Sequence, residues 1–132
     1  MKIDAQLLAA YSDPYFRFRQ KCTRDSFAII TAWNPSSKRL ATNENKLKNK
    51  RLLQEINHNY FVEVLVGDKT FSWVEESFAV DISESEAINL ARKFGQNAIY
   101  FVEGTRLYLV SCLEDKSKLE LGEWRIRSRL KD

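Results

Sequence analysis

The run Phe27-Ala28-Ile29-Ile30-Thr31-Ala32-Trp33, interrupted only by Thr31, restricts the fold more than any other stretch of this chain. Side chains alternate between the two faces of a strand, and here both faces are apolar. Such a strand belongs at the centre of a sheet. It ends at Asn34-Pro35, because proline has no N–H for a continuing ladder. Neighbouring segments supply the rest of the sheet. Tyr15 to Cys22 alternates, with Phe16 and Phe18 on one side and Tyr15, Arg17, Arg19 and Lys21 on the other. Tyr60 to Val66 and Phe71 to Val80 flank the turn Gly67-Asp68-Lys69, which predicts a hairpin. Ala98 to Val102 and Arg106 to Cys112 flank Glu103-Gly104-Thr105, a second hairpin. Glu123 to Leu130 alternates again as a last strand, after a solvated loop at Glu114 to Lys118.

Helical spacing appears three times. Asp4 to Tyr11 carries Leu7, Leu8 and Tyr11 on one stripe and is stopped by Pro14. Asn43 to Asn57 carries Leu52, Leu53 and Ile56, and the same face extends backward through Asn49 and Asn45. Ser83-Glu84-Ser85-Glu86 is a capping box opening a helix with Ala87, Leu90, Ala91 and Phe94, ended by Gly95. The expectation is one compact α+β domain over residues 1–132: a largely antiparallel sheet with about three helices packed on one face.

With 132 residues, 44% hydrophobic and 30% charged, the chain is long and apolar enough for one core. No apolar run approaches the length of a membrane span, and Met1-Lys2-Ile3-Asp4 does not resemble a signal peptide. These features predict a cytoplasmic protein without a membrane partner. Two cysteines, Cys22 and Cys112, fit free thiols better than a disulfide scaffold. The single histidine, His58, lies between Asn57 and Asn59 at a helix end. Without a second histidine or a close cysteine pair, neither a zinc site nor a histidine-dependent triad is expected. No cofactor is predicted.

The segment Trp73-Val74-Glu75-Glu76-Ser77-Phe78-Ala79-Val80 breaks its own pattern. Two adjacent carboxylates in an apolar strand must point to opposite faces, so one lies on or beside the core. Glu75 shares its side with Trp73 and Ser77; taking that side as the polar one leaves Val74, Phe78 and Val80 as the core side, and the reverse assignment, with Glu75 toward the core, is the alternative. Trp33 and Asn34 close the central strand, Asn45 begins the next helix, and Gln96 follows a helix stop. Together Trp33, Asn34, Asn45, Trp73, Glu75, Glu76, Ser77 and Gln96 form a candidate pocket for a small polar or anionic ligand. Tryptophans offer flat surfaces, amides read hydrogen-bond edges, and a carboxylate accepts a donor or acts as a base. If the domain is catalytic, Glu75 is the acid/base candidate, with Asn34 and Gln96 orienting substrate. The structural alternative is that Asn34 and Asn45 act as caps while Glu75 or Glu76 pairs with Arg92 or Lys46.

Four of these pieces occur in a characteristic order: Thr31-Ala32-Trp33-Asn34-Pro35, Asn43-Glu44-Asn45, Trp73-Val74-Glu75-Glu76-Ser77-Phe78, and Ala91-Arg92-Lys93-Phe94-Gly95-Gln96-Asn97-Ala98. In this the chain resembles a bacterial family of uncharacterised proteins, the domain-of-unknown-function family 3293, over roughly Phe27 to Cys112. The resemblance implies a small cytoplasmic bacterial protein and carries no catalytic residue. One departure is Lys46 after Asn45, where the family pattern has arginine.

Two other surfaces carry charge. The loop Ser36 to Lys46 leads into a helix start, whose free N–H groups attract anions; it lacks glycine and is no P-loop. Arg17 and Arg19 lie on one strand, and Arg125, Arg127 and Arg129 on another. On neighbouring strands they would merge into a patch for nucleic acid. Alternating arginine also protects edge strands from aggregation, and the net charge of +3 is modest. A third reading is an interaction module, including a homodimer joined through an edge strand near the C-terminus.

Overall fold

The computed structural model describes residues 8, 9 and 11–130. Its strands are β1 (Tyr15–Phe18), β2 (Ser26–Ile30), β3 (Phe61–Gly67), β4 (Val74–Val80), β5 (Ala98–Glu103), β6 (Arg106–Ser111), β7 (Lys118–Glu123) and β8 (Ser128–Leu130). Two helices, α1 (Thr42–Ile56) and α2 (Glu84–Lys93), are described in full, with short 3-10 turns at Pro35–Ser37 and Arg125–Arg127; Leu8, Ala9 and Tyr11 are helical as well. The count of fully described helices is thus two, not about three; the helix expected at Asp4 to Tyr11 lies largely outside the described residues. All eight strands join one sheet in the order β7-β6-β5-β2-β4-β3-β1-β8. It is mixed: β1 and β8 run parallel, and the other pairs are antiparallel.

This sheet has to curl. Laid flat, eight strands at a spacing of ~4.8 Å would hold β7 and β8 about 34 Å apart. Yet residues 124–127 alone connect them, and even fully extended that connection spans no more than about 18 Å. The two edges are therefore drawn toward each other and the sheet forms an open barrel. Its interior is filled by Phe16, Phe18, Phe27, Ile29, Val62, Val64, Val66, Ala79, Val102 and Leu107. Trp124, in the connection itself, plugs one end: its ring meets Phe18 and Phe27 edge-on at 5.7 and 5.5 Å.

The outer side of β2, β4, β5 and β6 carries a second core. Ala28, Ile30, Phe78, Val80 and Ile99 pack there with Leu52 and Ile56 of α1 and Ala87 and Ala91 of α2. Covering on both sides explains the two-faced apolar pattern of β2, which lies in the middle of the sheet. It also corrects the expected sidedness of β4. Phe78 and Val80 do face a core, but the side bearing Glu75, Ser77 and Ala79 faces another, inside the barrel.

The β2–β4 ladder stops at Ile30 opposite Phe78, three residues earlier than the apolar run suggests. The cause is Asn49 of α1. Its Oδ1 accepts the Ala32 N–H at 2.8 Å and its Nδ2 donates to the Glu76 carbonyl at 2.7 Å. A side-chain amide thus replaces the next rung, satisfying both backbones. Beyond this wedge β2 leaves the sheet, and Asn34 adopts a left-handed conformation with φ 47°, which asparagine tolerates well. The end of the barrel opposite Trp124 is left open.

Candidate functional site

A cavity of about 500 Å³ occupies that open end. It lies among the end of β2, the turn between β3 and β4, the starts of β4 and β5, and the segment before β1. Barrel mouths are a recurrent place for small-molecule sites. Of the residues singled out in the sequence, Trp33, Asn34, Trp73, Glu75, Ser77 and Gln96 line it. Asn45 and Glu76 do not. Asn45 is fully buried behind the mouth, accepting the Asn34 N–H at 2.8 Å and donating to Asn34 Oδ1 at 2.8 Å. Glu76 points to the outer face, with Lys46 Nζ 4.0 Å away. There it lines a separate groove of about 370 Å³ with Arg17, Arg19 and Glu63. Arg92 pairs with neither glutamate; it donates to the Cys112 carbonyl at 2.6 Å.

The amides hold the mouth in shape. Asn34 Oδ1 also accepts the Leu40 N–H at 2.9 Å, so with Asn45 it takes two donors and its Nδ2 remains for other contacts. Gln96 Nε2 donates to the Trp33 carbonyl at 3.2 Å. These bonds hold the Trp33–Asn34 segment in place, so Asn34 and Gln96 have a structural task beside their place in the cavity lining. Two glycines bring the walls together. A Cβ on Gly67 would stand 2.3 Å from the Trp73 carbonyl oxygen, so this close approach needs glycine. Gly95, with φ 72°, ends α2 and would meet Pro35 Cβ at 3.0 Å.

Three carboxylates line the cavity, and their environments differ. Asp13 is ion-paired with Arg127 Nη1 at 2.7 Å. Asp68 accepts the Ser72 hydroxyl at 2.6 Å and the Trp73 N–H at 3.3 Å; the Ser72 bond is the main cause of its lowered pKa. Glu75 has no basic partner among the described residues. Burial pushes its carboxyl up to about 7, and the Asn34 side chain acts in the opposite direction. Tyr100 stands beside it, its hydroxyl donating to the Tyr11 carbonyl at 2.6 Å. Burial and the nearby Glu75 charge both raise the phenol's pKa, so it stays a neutral donor.

The lining residues that the sequence reading missed are chiefly Tyr100, Tyr11, Asp13 and Asp68. Tyr100 shares parity with Val102 on an apolar strand, and its polar tip was the available signal. Asp68 was visible only as a turn residue, and Asp13 as the residue before Pro14.

Other chemistries find less support. Burial raises the pKa of both thiols, that of Cys112 to about 11, which suppresses thiolate. The described residues hold no group of three or more side chains suited to bind a metal. The arginine stripes meet only in part. β1 and β8 are indeed neighbours, with Arg17 opposite Arg129. But the 3-10 turn at Arg125–Arg127 breaks the strand alternation, and Arg127 turns to Asp13, the Pro14 carbonyl and the ring of Tyr15. Arg19 pairs with Glu63 at 2.6 Å and Arg17 lies over the Phe71 ring. The loop Ser36 to Lys46 is tied down at Ser36 by the Gly95 carbonyl and at Ser37 by Tyr11 and Asn97. No described helix is long and apolar enough to cross a membrane.

Fold and cavity together define an α+β protein with a curled eight-stranded sheet, one end plugged and the other open. The chain belongs to the family of proteins of unknown function DUF3293, whose model matches residues 30–99. The match is narrower than the resemblance suggested. It contains both helices, both mouth tryptophans and Glu75, and leaves β1 and β6 to β8 outside. No curated protein and no solved structure matches the chain.

Proposed function

We propose that the open mouth of the barrel is a recognition site for a small organic ligand. Trp33 and Trp73 serve as its contact surfaces and Glu75 as its central polar group. The observation that carries this reading is Glu75 itself: a carboxyl held in a largely apolar cavity, desolvated, with no basic side chain among the described residues provided for it. Buried carboxylates in purely structural roles are paired or fully hydrogen-bonded, whereas perturbed groups facing a cavity concentrate at functional sites. Exposure of Trp73, at 47%, leaves an indole face available at the rim. A carboxyl titrating near neutrality also suits proton transfer, so the same residue would serve a catalytic version of the site.

A fragment screen followed by amide and indole N–H resonances tests the proposal. Hits should move the Trp33 and Trp73 indole signals, and polar hits among them should weaken in Glu75→Gln while the rest of the spectrum stays native. A screen whose hits all bind elsewhere, or in which every hit binds Glu75→Gln unchanged, would refute it.

A further inference from the structure

The charge of the mouth is one-sided. Its described lining includes Asp13, Asp68 and Glu75 and no lysine, arginine or histidine. Arg127 neutralises Asp13 from behind, and Asp68 is occupied by the Ser72 hydroxyl and the Trp73 N–H. That leaves Glu75 as the unmatched carboxyl facing the space. The remaining wall is flat or aliphatic: Trp33 and Trp73 at the rim, Tyr100, Ile29, Val66 and Leu109 deeper.

We infer that the ligand is a small organic cation, a protonated amine or amidine on a flat apolar body, whose N–H groups meet Glu75. This rests on the mouth being a ligand site. Each alternative charge fares worse. An anion would enter a cavity with three carboxyl groups and no basic residue in its described lining, against the negative faces of the aromatic rings. This argues against the anionic ligand expected from the sequence. A neutral body of the same shape gains the apolar contact but leaves Glu75 without a charge partner. A cation gains both, because indole faces attract cations and a charge-assisted bond to a desolvated carboxylate is stronger than a neutral one. The volume of about 500 Å³ lies within the range of small-molecule pockets and exceeds what a bare ammonium or metal ion would fill.

Three probes sharing one ring system separate the possibilities: tryptamine, tryptophol and indole-3-acetate, carrying positive, zero and negative charge. Each is titrated at millimolar concentration into the protein and into Glu75→Gln at about pH 8, where Glu75 is mostly ionised, following the Trp33 and Trp73 indole N–H resonances. Tryptamine is expected to bind the native protein at least about tenfold more tightly than indole-3-acetate. Glu75→Gln should remove most of that preference while leaving tryptophol nearly unchanged. If indole-3-acetate or tryptophol binds as well as tryptamine, or if tryptamine is indifferent to Glu75→Gln, the cation assignment is overturned and the site itself stands. If none of the three moves the two indole signals, the site and its ligand class both fall.

Discussion

Replacing Glu75 with glutamine should stabilise the protein, increasingly as pH rises from about 4.5 to about 7. Burial holds the folded-state carboxyl near 7, against an ordinary value of 4.5. A group whose pKa is raised by folding favours the folded state while protonated. Its contribution is fully present below about pH 4.5 and is lost as pH rises through about 7. Each tenfold change in acidity corresponds to about 1.4 kcal/mol, so the ionised form costs the fold at most about 3.4 kcal/mol. Partial solvent contact at the mouth reduces this, and about 1–3 kcal/mol is the working range. Glutamine mimics the protonated carboxyl in shape and cannot ionise. Urea unfolding of both proteins from about pH 4 to about pH 8.5 reads the difference. The midpoints should nearly coincide at the acid end and separate by about 0.5–1.5 M at the alkaline end, for a slope near 2 kcal/mol per M. The other groups facing the mouth are Tyr11, Asp13, Asp68 and Tyr100, with Arg127 behind Asp13. Both proteins share them, so their titration cancels in the comparison. A gap independent of pH, or a glutamine variant that is the less stable at pH about 8, would show that Glu75 is not desolvated and remove the basis of the proposed site.

Asn45→Ala should cost about 2–4 kcal/mol in the same assay, because it strips partners from the Asn34 N–H and Oδ1 behind the mouth; a loss below about 0.5 kcal/mol would mean that water substitutes for the amide. Gly67→Ala should cost about 1–3 kcal/mol, since its new Cβ would collide with the Trp73 carbonyl. It should also shift the Trp73 indole N–H resonance, and an unmoved indole would show that the turn between β3 and β4 does not position that ring.

Local pattern was readable wherever one strand's alternation or one helix's stripe decides it. The two-faced apolarity of β2 marked it as central, and Phe16 and Phe18 marked the inner side of β1. Asn45 and Asn49 were visible as an amide-bearing continuation of the Leu52–Ile56 stripe of α1. Their task was not readable, because it depends on where the β2–β4 ladder stops, a long-range matter of register. The sequence assigns no element to most of β7, from Leu119 to Gly122: an edge strand pairs on one side only, and Lys118 to Glu120 are exposed. The last segment misled for the opposite reason. Trp124 to Arg129 alternates like a strand, but the chain turns at Arg125–Arg127 to pass from one sheet edge to the other. Curling decides that turn, and curling belongs to the whole sheet, not to any segment of it.

The same curling determines what Glu75 is. On a flat sheet its side of β4 would be either a solvated face, where a carboxylate is ordinary, or a face covered by helices. Rolled inward, that side becomes barrel interior at its middle, where Val64 and Ala79 are buried, and cavity wall at its end. Trp124 closes one end with aromatic contacts, whereas at the other Asn49 ends the ladder early and hands the strand ends to side-chain amides. A sheet that needed only to be stable would gain by closing both ends with apolar side chains. Here the open end is braced by Asn34, Asn45 and Gln96 and retains a carboxyl whose ionisation works against folding. Stability surrendered at a braced, accessible cavity is the pattern of a binding site, and for that reason the pH-dependent cost of Glu75 and the proposed preference for a cationic partner would be two measurements of one arrangement.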